Sequence, residues 1–391
     1  MQHEEDGRQA SETIAAANGI AADGGFGAVV PPLYLSSTFS FEGLERPRRF
    51  EYSRTDNPTR ALLANTVAKL EGGSGAVIAA SGLAALDVLL SQLKRDDLVV
   101  APHDCYAGTT RLLDARKERG QFPVEYVDQT DERKLKRALQ YYPALVLVET
   151  PSNPLMRIVD IARVAELAHE GDAKLAVDNT FLSPALQQPI ALGADFVIHS
   201  TTKYLNGHSD VVGGAVVAKS AEDASVLAHW ANVTGVSGAP FDAYMTLRGI
   251  RTLFPRIERQ QRTAGAIALF LYEHPLVEAV YYPGLPDHPG HDIAARQQRG
   301  FGAMLSFKLR GGNEAVSQFV AHLKLFVLAE SLGGIESLVA HPKTMTHAYL
   351  SPESMDASGI TDNLLRLSIG LEDQNDLVGD LIAAFASLEC T

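Results

Sequence analysis

Six short, largely apolar runs recur through the first half of the chain, at residues 76–80, 98–101, 124–127, 145–149, 174–178 and 196–199, with helical patterns between them. Alternating polarity would mark a sheet with one wet face. Continuous apolarity in runs this short marks strands covered by helices on both faces. The expected fold class is therefore α/β, a doubly wound and parallel-rich sheet. Residues 1–57 mix Gly and Pro with short apolar pieces and predict an extended arm. Asn57-Pro58 then supplies a cap followed by proline at the first helical position; Leu63, Thr66, Val67 and Leu70 share one face, and Gly72-Gly73 ends the helix. This opens a main domain of residues 58–254. From 255 to 391 a long helical period over residues 256–273 precedes strand-like pieces at 303–309 and 365–369, which predicts a C-terminal α+β domain. No internal repeat or low-complexity segment interrupts the scheme.

Length supports the division, since 391 residues exceed what one compact core accommodates. With 34 basic against 47 acidic side chains, the formal net charge of -13 argues against nucleic acid or an anionic membrane as partner. The N-terminus lacks the basic and apolar blocks of a signal peptide. No apolar run reaches the roughly 18 residues of a membrane span. A cytoplasmic enzyme acting on small molecules is expected. Cys105 and Cys390 are the only cysteines, too few for a disulfide framework, and the 12 histidines show no metal-ligand spacing.

In a sheet of this kind ligands bind beyond the carboxyl ends of the strands. The residues there are Ser81-Gly82, Glu149 to Asn153, Asp178-Asn179 and Ser200-Thr201-Thr202-Lys203. Taken singly they are ordinary: Lys203 a surface lysine on a loop, Asp178 an Asx turn, Gly82 a turn glycine. Taken together they make an amine, an acid one helix and one strand away, and a glycine where a strand turns into a helix. Pyridoxal phosphate (PLP) enzymes need those three things: a lysine to hold the cofactor, an acid on its ring nitrogen, and a helix N-terminus with hydroxyls for its phosphate. Ser200 and Thr202 supply the hydroxyls. Rival phosphate motifs fail, because Ile78 stands where a dinucleotide loop starting at Gly73 requires glycine and no P-loop pattern occurs. Cys105 beside His103 has nothing beyond adjacency to mark it as a nucleophile.

The segment Asp195-Phe-Val-Ile-His-Ser-Thr-Thr-Lys203-Tyr-Leu-Asn-Gly-His-Ser209 resembles the lysine signature of the Cys/Met metabolism PLP enzymes. The resemblance runs from about Gly27 to the C-terminus and takes in Tyr52-Ser53-Arg54, Asn57-Pro58-Thr59-Arg60, Glu149-Thr150-Pro151-Ser152-Asn153-Pro154 and Ser331-Leu332-Gly333-Gly334. It implies an aspartate-aminotransferase-like fold with Lys203 as the cofactor lysine, Asp178 as partner of the ring nitrogen, and Tyr106 stacked on the ring and assisting catalysis. Gly82, Leu83, Ser200 and Thr202 would hold the phosphate. Tyr52 and Arg54 would reach the neighbouring subunit's phosphate, within a homotetramer built from two active dimers. Arg366, with Asn153 and Ser331, would clamp the substrate α-carboxylate; spacing alone gives no sign of that arginine.

The implied reaction is γ-replacement, in which an O-acylhomoserine, first of all O-succinyl-L-homoserine, and L-cysteine give L-cystathionine in methionine biosynthesis. One departure bears on the acyl group. Similar sequences often carry a second arginine after Tyr-Ser-Arg, where Thr55 stands here. Arg111 and Lys343 are the remaining candidate anion partners, and Glu330 a candidate contact to the amine of cysteine. The competing reactions are γ-cleavage of cystathionine and sulfhydrylation with sulfide. Methionine γ-cleavage is disfavoured by Gly108, where a cysteine is usual.

Overall fold

The structure, a computed structural model, describes residues 9–348, 355–356 and 358–389. Seven strands form the larger sheet: β1 (Gly75–Ala79), β2 (Val99–Pro102), β3 (Val124–Val127), β4 (Leu145–Glu149), β5 (Lys174–Asp178), β6 (Phe196–Ser200) and β7 (Gly214–Ala218). Their order is β1-β7-β6-β5-β4-β2-β3. Neighbours from β6 to β3 are parallel, while β7 runs antiparallel to both β6 and β1. The α/β expectation holds. β7 is absent from the runs picked out by sequence, although it is as apolar and as fully buried as they are.

Side chains alternate across a strand, and the alternation assigns the two faces. Leu145, Leu147, Ala176, Phe196 and Ile198 pack with Leu86, Leu89 and Leu113, from helices Gly82–Leu90 and Ala107–Glu118. Val146, Val148, Leu175 and Val177 pack on the other side with Val164 and Leu167 of helix Ile161–His169. Glu149, Asp178 and Ser200, two residues beyond Leu147, Ala176 and Ile198, continue the first face at the carboxyl edge.

Helix Pro58–Glu71 begins as expected, with the Asn57 side chain accepting from the N–H groups of Thr59 and Arg60, and Gly72 closes it in the left-handed conformation. The arm before it needs correction. Ser11–Ala17 is helical, with Ile14 and Ala15 buried, and Arg251 donates to the carbonyls of Ala15, Ala16 and Asn18. Two turns are too short to show a period; tertiary burial and one arginine at the carbonyl end hold them.

Helix Leu253–Tyr272 leads to the second sheet, so the 254/255 division falls in its first turn. That sheet contains β8 (Val277–Tyr281), β9 (Met304–Leu309), β10 (Val327–Leu328), β11 (Leu338–Ala340) and β12 (Leu364–Ser368), in the order β10-β11-β12-β9-β8. Phe307 of β9, Phe319 of helix Gly312–His322 and Phe385 of helix Gln374–Glu389 meet in sequence edge-on and tilted, with centroids 5.9 and 4.8 Å apart. Among the described residues no helix is long and apolar enough to cross a membrane.

Candidate active site

A cavity of about 320 Å³ lies at the carboxyl ends of β4, β5 and β6, roofed by the turn after β10 and by β12. Lys203, Asp178, Tyr106, Gly82, Leu83, Ser200, Thr202, Asn153, Ser331, Arg366, Arg111 and Glu330 all line it. Residues separated by most of the chain thus meet in one pocket.

At one end, helix Gly82–Leu90 presents its first turn to the cavity. The Ser81 hydroxyl accepts from the Ala84 N–H at 3.1 Å, leaving Gly82 and Leu83 to carry the leading N–H groups at the wall. A Cβ at Gly82 would stand 2.9 Å from Ser200 Cβ and 3.0 Å from its Cα, so only glycine brings this turn against β6. The Thr202 hydroxyl is engaged with Gly213, accepting from its N–H at 3.0 Å and donating to its carbonyl at 3.2 Å.

Asp178 sits on the floor, accepting from Thr180 N–H at 2.9 Å. Burial pushes its carboxyl above the usual range, against the pull of the Thr180 hydrogen bonds and of His199 behind it. Tyr106 begins helix Ala107–Glu118, and its ring lies over that first turn: a Cβ at Gly108 would come within 2.4 Å of Tyr106 Cε1. A side chain at 108 would therefore displace the ring.

Lys203 Nζ donates to Ser331 Oγ at 2.7 Å. Burial, reinforced by the neighbouring Arg366 charge and opposed by Glu330, lowers the amine to about 8. Arg366 is 2% exposed, yet it has no carboxylate partner among the described residues. One Nη donates to Asn153 Oδ1 at 3.0 Å, the other to the Ser331 carbonyl at 2.7 Å, and Nε has no hydrogen-bond partner among the described residues. Burial brings this guanidinium down to about 10. Ser331, which touches both cations, holds a left-handed φ of 92°. A buried, incompletely bonded fork facing a cavity has the chemistry to take a carboxylate.

Four candidates stand apart from the cavity. Lys343 pairs with Asp362 at 2.6 Å. Arg54 donates to Asn232 Oδ1 at 2.6 Å, with its guanidinium 5.8 Å from the half-exposed Tyr52 ring. Cys105 is buried, its thiol pushed up by burial and by Glu149, and its sulfur lies 3.4 Å from Thr110 Oγ1. Cys390 is outside the described residues. No group of His, Cys, Asp or Glu among the described residues would hold a metal ion.

The profile of the Cys/Met metabolism PLP-dependent enzymes matches residues 12–386. The chain belongs to this family. It is 54% identical over 374 residues to the cystathionine gamma-synthase of Escherichia coli (strain K12), covering 95% of this chain and 97% of that protein. The cystathionine gamma-synthase of Xanthomonas oryzae pv. oryzae, solved in complex with cystathionine, superposes with a TM-score of 0.97 at 53% identity, covering 98% and 99% of the two chains. A cystathionine beta-lyase of Lactococcus lactis subsp. cremoris is 45% identical, with 93% of this chain and 95% of that protein covered.

Pyridoxal phosphate is thus the enzyme's cofactor, and the pocket fits it. The part-buried Asp178 carboxyl enters no salt bridge among the described residues, and a cationic ring nitrogen would supply one; the glycine-tight turn at Gly82 suits an anion; Lys203 has its amine inside the cavity. Sequence reading left two neighbours without a role. Thr180 Oγ1 accepts from the Ser200 N–H at 2.9 Å while its own N–H holds Asp178, so it fixes both. Glu149, 7% exposed, ends β4 in register with Asp178. The available signal was a charged residue closing an otherwise apolar strand.

Proposed function

We propose that this enzyme forms L-cystathionine by γ-replacement, joining the sulfur of L-cysteine to Cγ of O-succinyl-L-homoserine, or another O-acylhomoserine, with loss of the acyl group as a carboxylate. The observation that carries the reading is the buried Arg366 fork, without a carboxylate partner among the described residues, beside the Lys203 amine and joined to it through Ser331. It supports an amino-acid substrate whose α-carboxylate is held by Arg366 and Asn153 and whose Cα is offered to Lys203. The names of the E. coli and Xanthomonas relatives support the direction of synthesis.

When bound, pyridoxal phosphate supplies the electron sink that makes protons at Cα and Cβ removable. The chain's part is to place and move those protons. An amine lowered to about 8 is partly neutral at physiological pH, so Lys203 takes the Cα proton and returns one as the product forms. Asp178 balances a cationic ring nitrogen, Gly82, Leu83, Ser200 and Thr202 hold the phosphate, and Tyr106 covers the ring and assists proton transfer. For Thr202 to donate to a phosphate, its hydroxyl must turn from the Gly213 carbonyl. Arg111 on the wall suits the distal carboxylate of a succinyl group, and Glu330 the amine of the incoming cysteine.

The assembly we infer is a homotetramer of two active dimers in the cytoplasm. Arg54 and Tyr52 lie outside their own chain's cavity, and the arm exposes Phe26 fully and Leu44 at 95%, which supports burial against a second copy.

Cleavage of cystathionine, γ-cleavage first, is the competing reading, because Thr55 stands where similar sequences often carry an arginine; the Lactococcus relative, named a cystathionine beta-lyase, supports cleavage chemistry within reach of this fold. A steady-state assay of the holoenzyme with O-succinyl-L-homoserine, with and without L-cysteine, beside L-cystathionine alone, separates the two. Cystathionine formation should far outpace its breakdown; rapid breakdown with little use of the acyl-homoserine would assign a lyase.

A further inference from the structure

The two walls of the pocket hang on one buried carboxylate. Glu149 Oε2 accepts from the Tyr106 N–H at 2.8 Å, and Oε1 accepts from the Asn153 N–H at 3.2 Å. Tyr106 follows β2 and Asn153 follows β4, adjacent strands whose loops diverge over the cavity. A second tie joins the same loops: Ser152 Oγ donates to Asp104 Oδ2 at 2.7 Å, and Arg157 donates to the same oxygen at 3.3 Å. The Asn153 side chain continues the series to Arg366.

A carboxylate is a costly choice for this place. Among the described residues Glu149 has no cation partner, and burial together with the charge of Asp178 drives its carboxyl well above the usual range. Any polar side chain could tie down one amide. Only a carboxyl group offers both oxygens as acceptors; an amide of the same shape turns an NH₂ toward one of the two N–H groups.

We propose that Glu149 is a positioning residue that fixes Tyr106 relative to Asn153, so that the wall over the cofactor and the clamp on the substrate carboxylate keep one spacing. The inference rests on the pocket reading above. The Asn153 bond is the longer of the two, so it is the one a glutamine gives up.

The test is Glu149→Gln, read in two ways. In the apoprotein, hydrogen exchange at the Asn153 amide should quicken about tenfold, as expected for loss of one buried hydrogen bond, while strand residues 145–148 keep their protection. Peptides across 150–155 report this cleanly, because Pro151 and Pro154 have no amide hydrogen. In the holoenzyme, KM for the acyl-homoserine should rise about tenfold with kcat within about threefold of wild type, the pattern of lost uniform binding. Wild-type protection of Asn153 together with an unchanged KM would overturn the proposal, and a uniform rise in exchange that includes 145–148 would reduce Glu149 to a general stability role. If that chain does not fold, Glu149→Asp replaces it: one methylene shorter, it cannot span both amides, and protection of both with unchanged KM would be equally fatal. Arg366→Ala, measured in parallel, separates the two levels, since an unaffected KM there would sink the pocket reading itself.

Discussion

Lys203 and Arg366 are two cations in one small cavity, and each is legible in the sequence to a different degree. Lys203 stands four residues beyond a buried strand, among hydroxyls, and becomes recognisable only in company with Asp178 and the glycine turn at Gly82. Its lowered value of about 8 gives a signed expectation. The neutral amine is the form that bonds to the cofactor, so covalent capture of pyridoxal phosphate by the apoprotein should rise with pH and reach half its plateau near 8. An unshifted lysine would go on rising to about 10.4; stopped-flow absorbance distinguishes the two. Arg366 is read only through the family resemblance, because an arginine within a strand looks like a solvated position until the fold buries it. Replacing it by lysine keeps the charge and loses the fork. That change should raise KM for the acyl-homoserine by about 2 kcal/mol, roughly thirtyfold, in steady-state kinetics.

Elements were read well wherever burial was continuous. The six apolar runs became six strands, within a residue or two, because covered parallel strands show in composition alone. The helix Ser11–Ala17 did not, since Arg251, far away in sequence, holds it. The junction of β1 with helix Gly82–Leu90 shows how closely elements must meet. A Cβ at Gly214 would lie 2.0 Å from the Ser81 carbonyl oxygen, a backbone atom that cannot step aside. At Gly82 the conflict with Ser200 is milder. Gly82→Ala should therefore fold, at a cost of about 1–3 kcal/mol in stability, the usual cost of overpacking, and bind the cofactor more weakly, as seen by equilibrium titration of the apoprotein. Gly214→Ala should lower the yield of soluble protein outright. Equal cofactor affinity in Gly82→Ala would remove that turn from the phosphate site.

At the scale of the molecule, sequence reading gave the two sheets and their order along the chain but not their closure on one another. Contacts such as Lys203 with Ser331 and Asn153 with Arg366 are set by three-dimensional packing that no local pattern encodes. The proposed association of subunits comes from the family resemblance at Tyr52 and Arg54, and the arm's exposed apolar side chains support it. If those residues complete a neighbour's site, Lys203→Ala and Arg54→Ala proteins, each inactive or weakened alone, should regain activity when their subunits are exchanged. Exchange without any recovery would show that each chain works by itself.

The pocket is also ordered in time. The residues proposed to hold the cofactor, from Gly82 to Lys203, precede Ser331 and Arg366 in the chain, and proteins are made from the N-terminus onward. A ribosome therefore releases Lys203 and the Gly82 turn well before Arg366, the proposed substrate clamp. On the proposed roles, the growing chain completes its own cofactor residues before it completes the clamp on the substrate carboxylate.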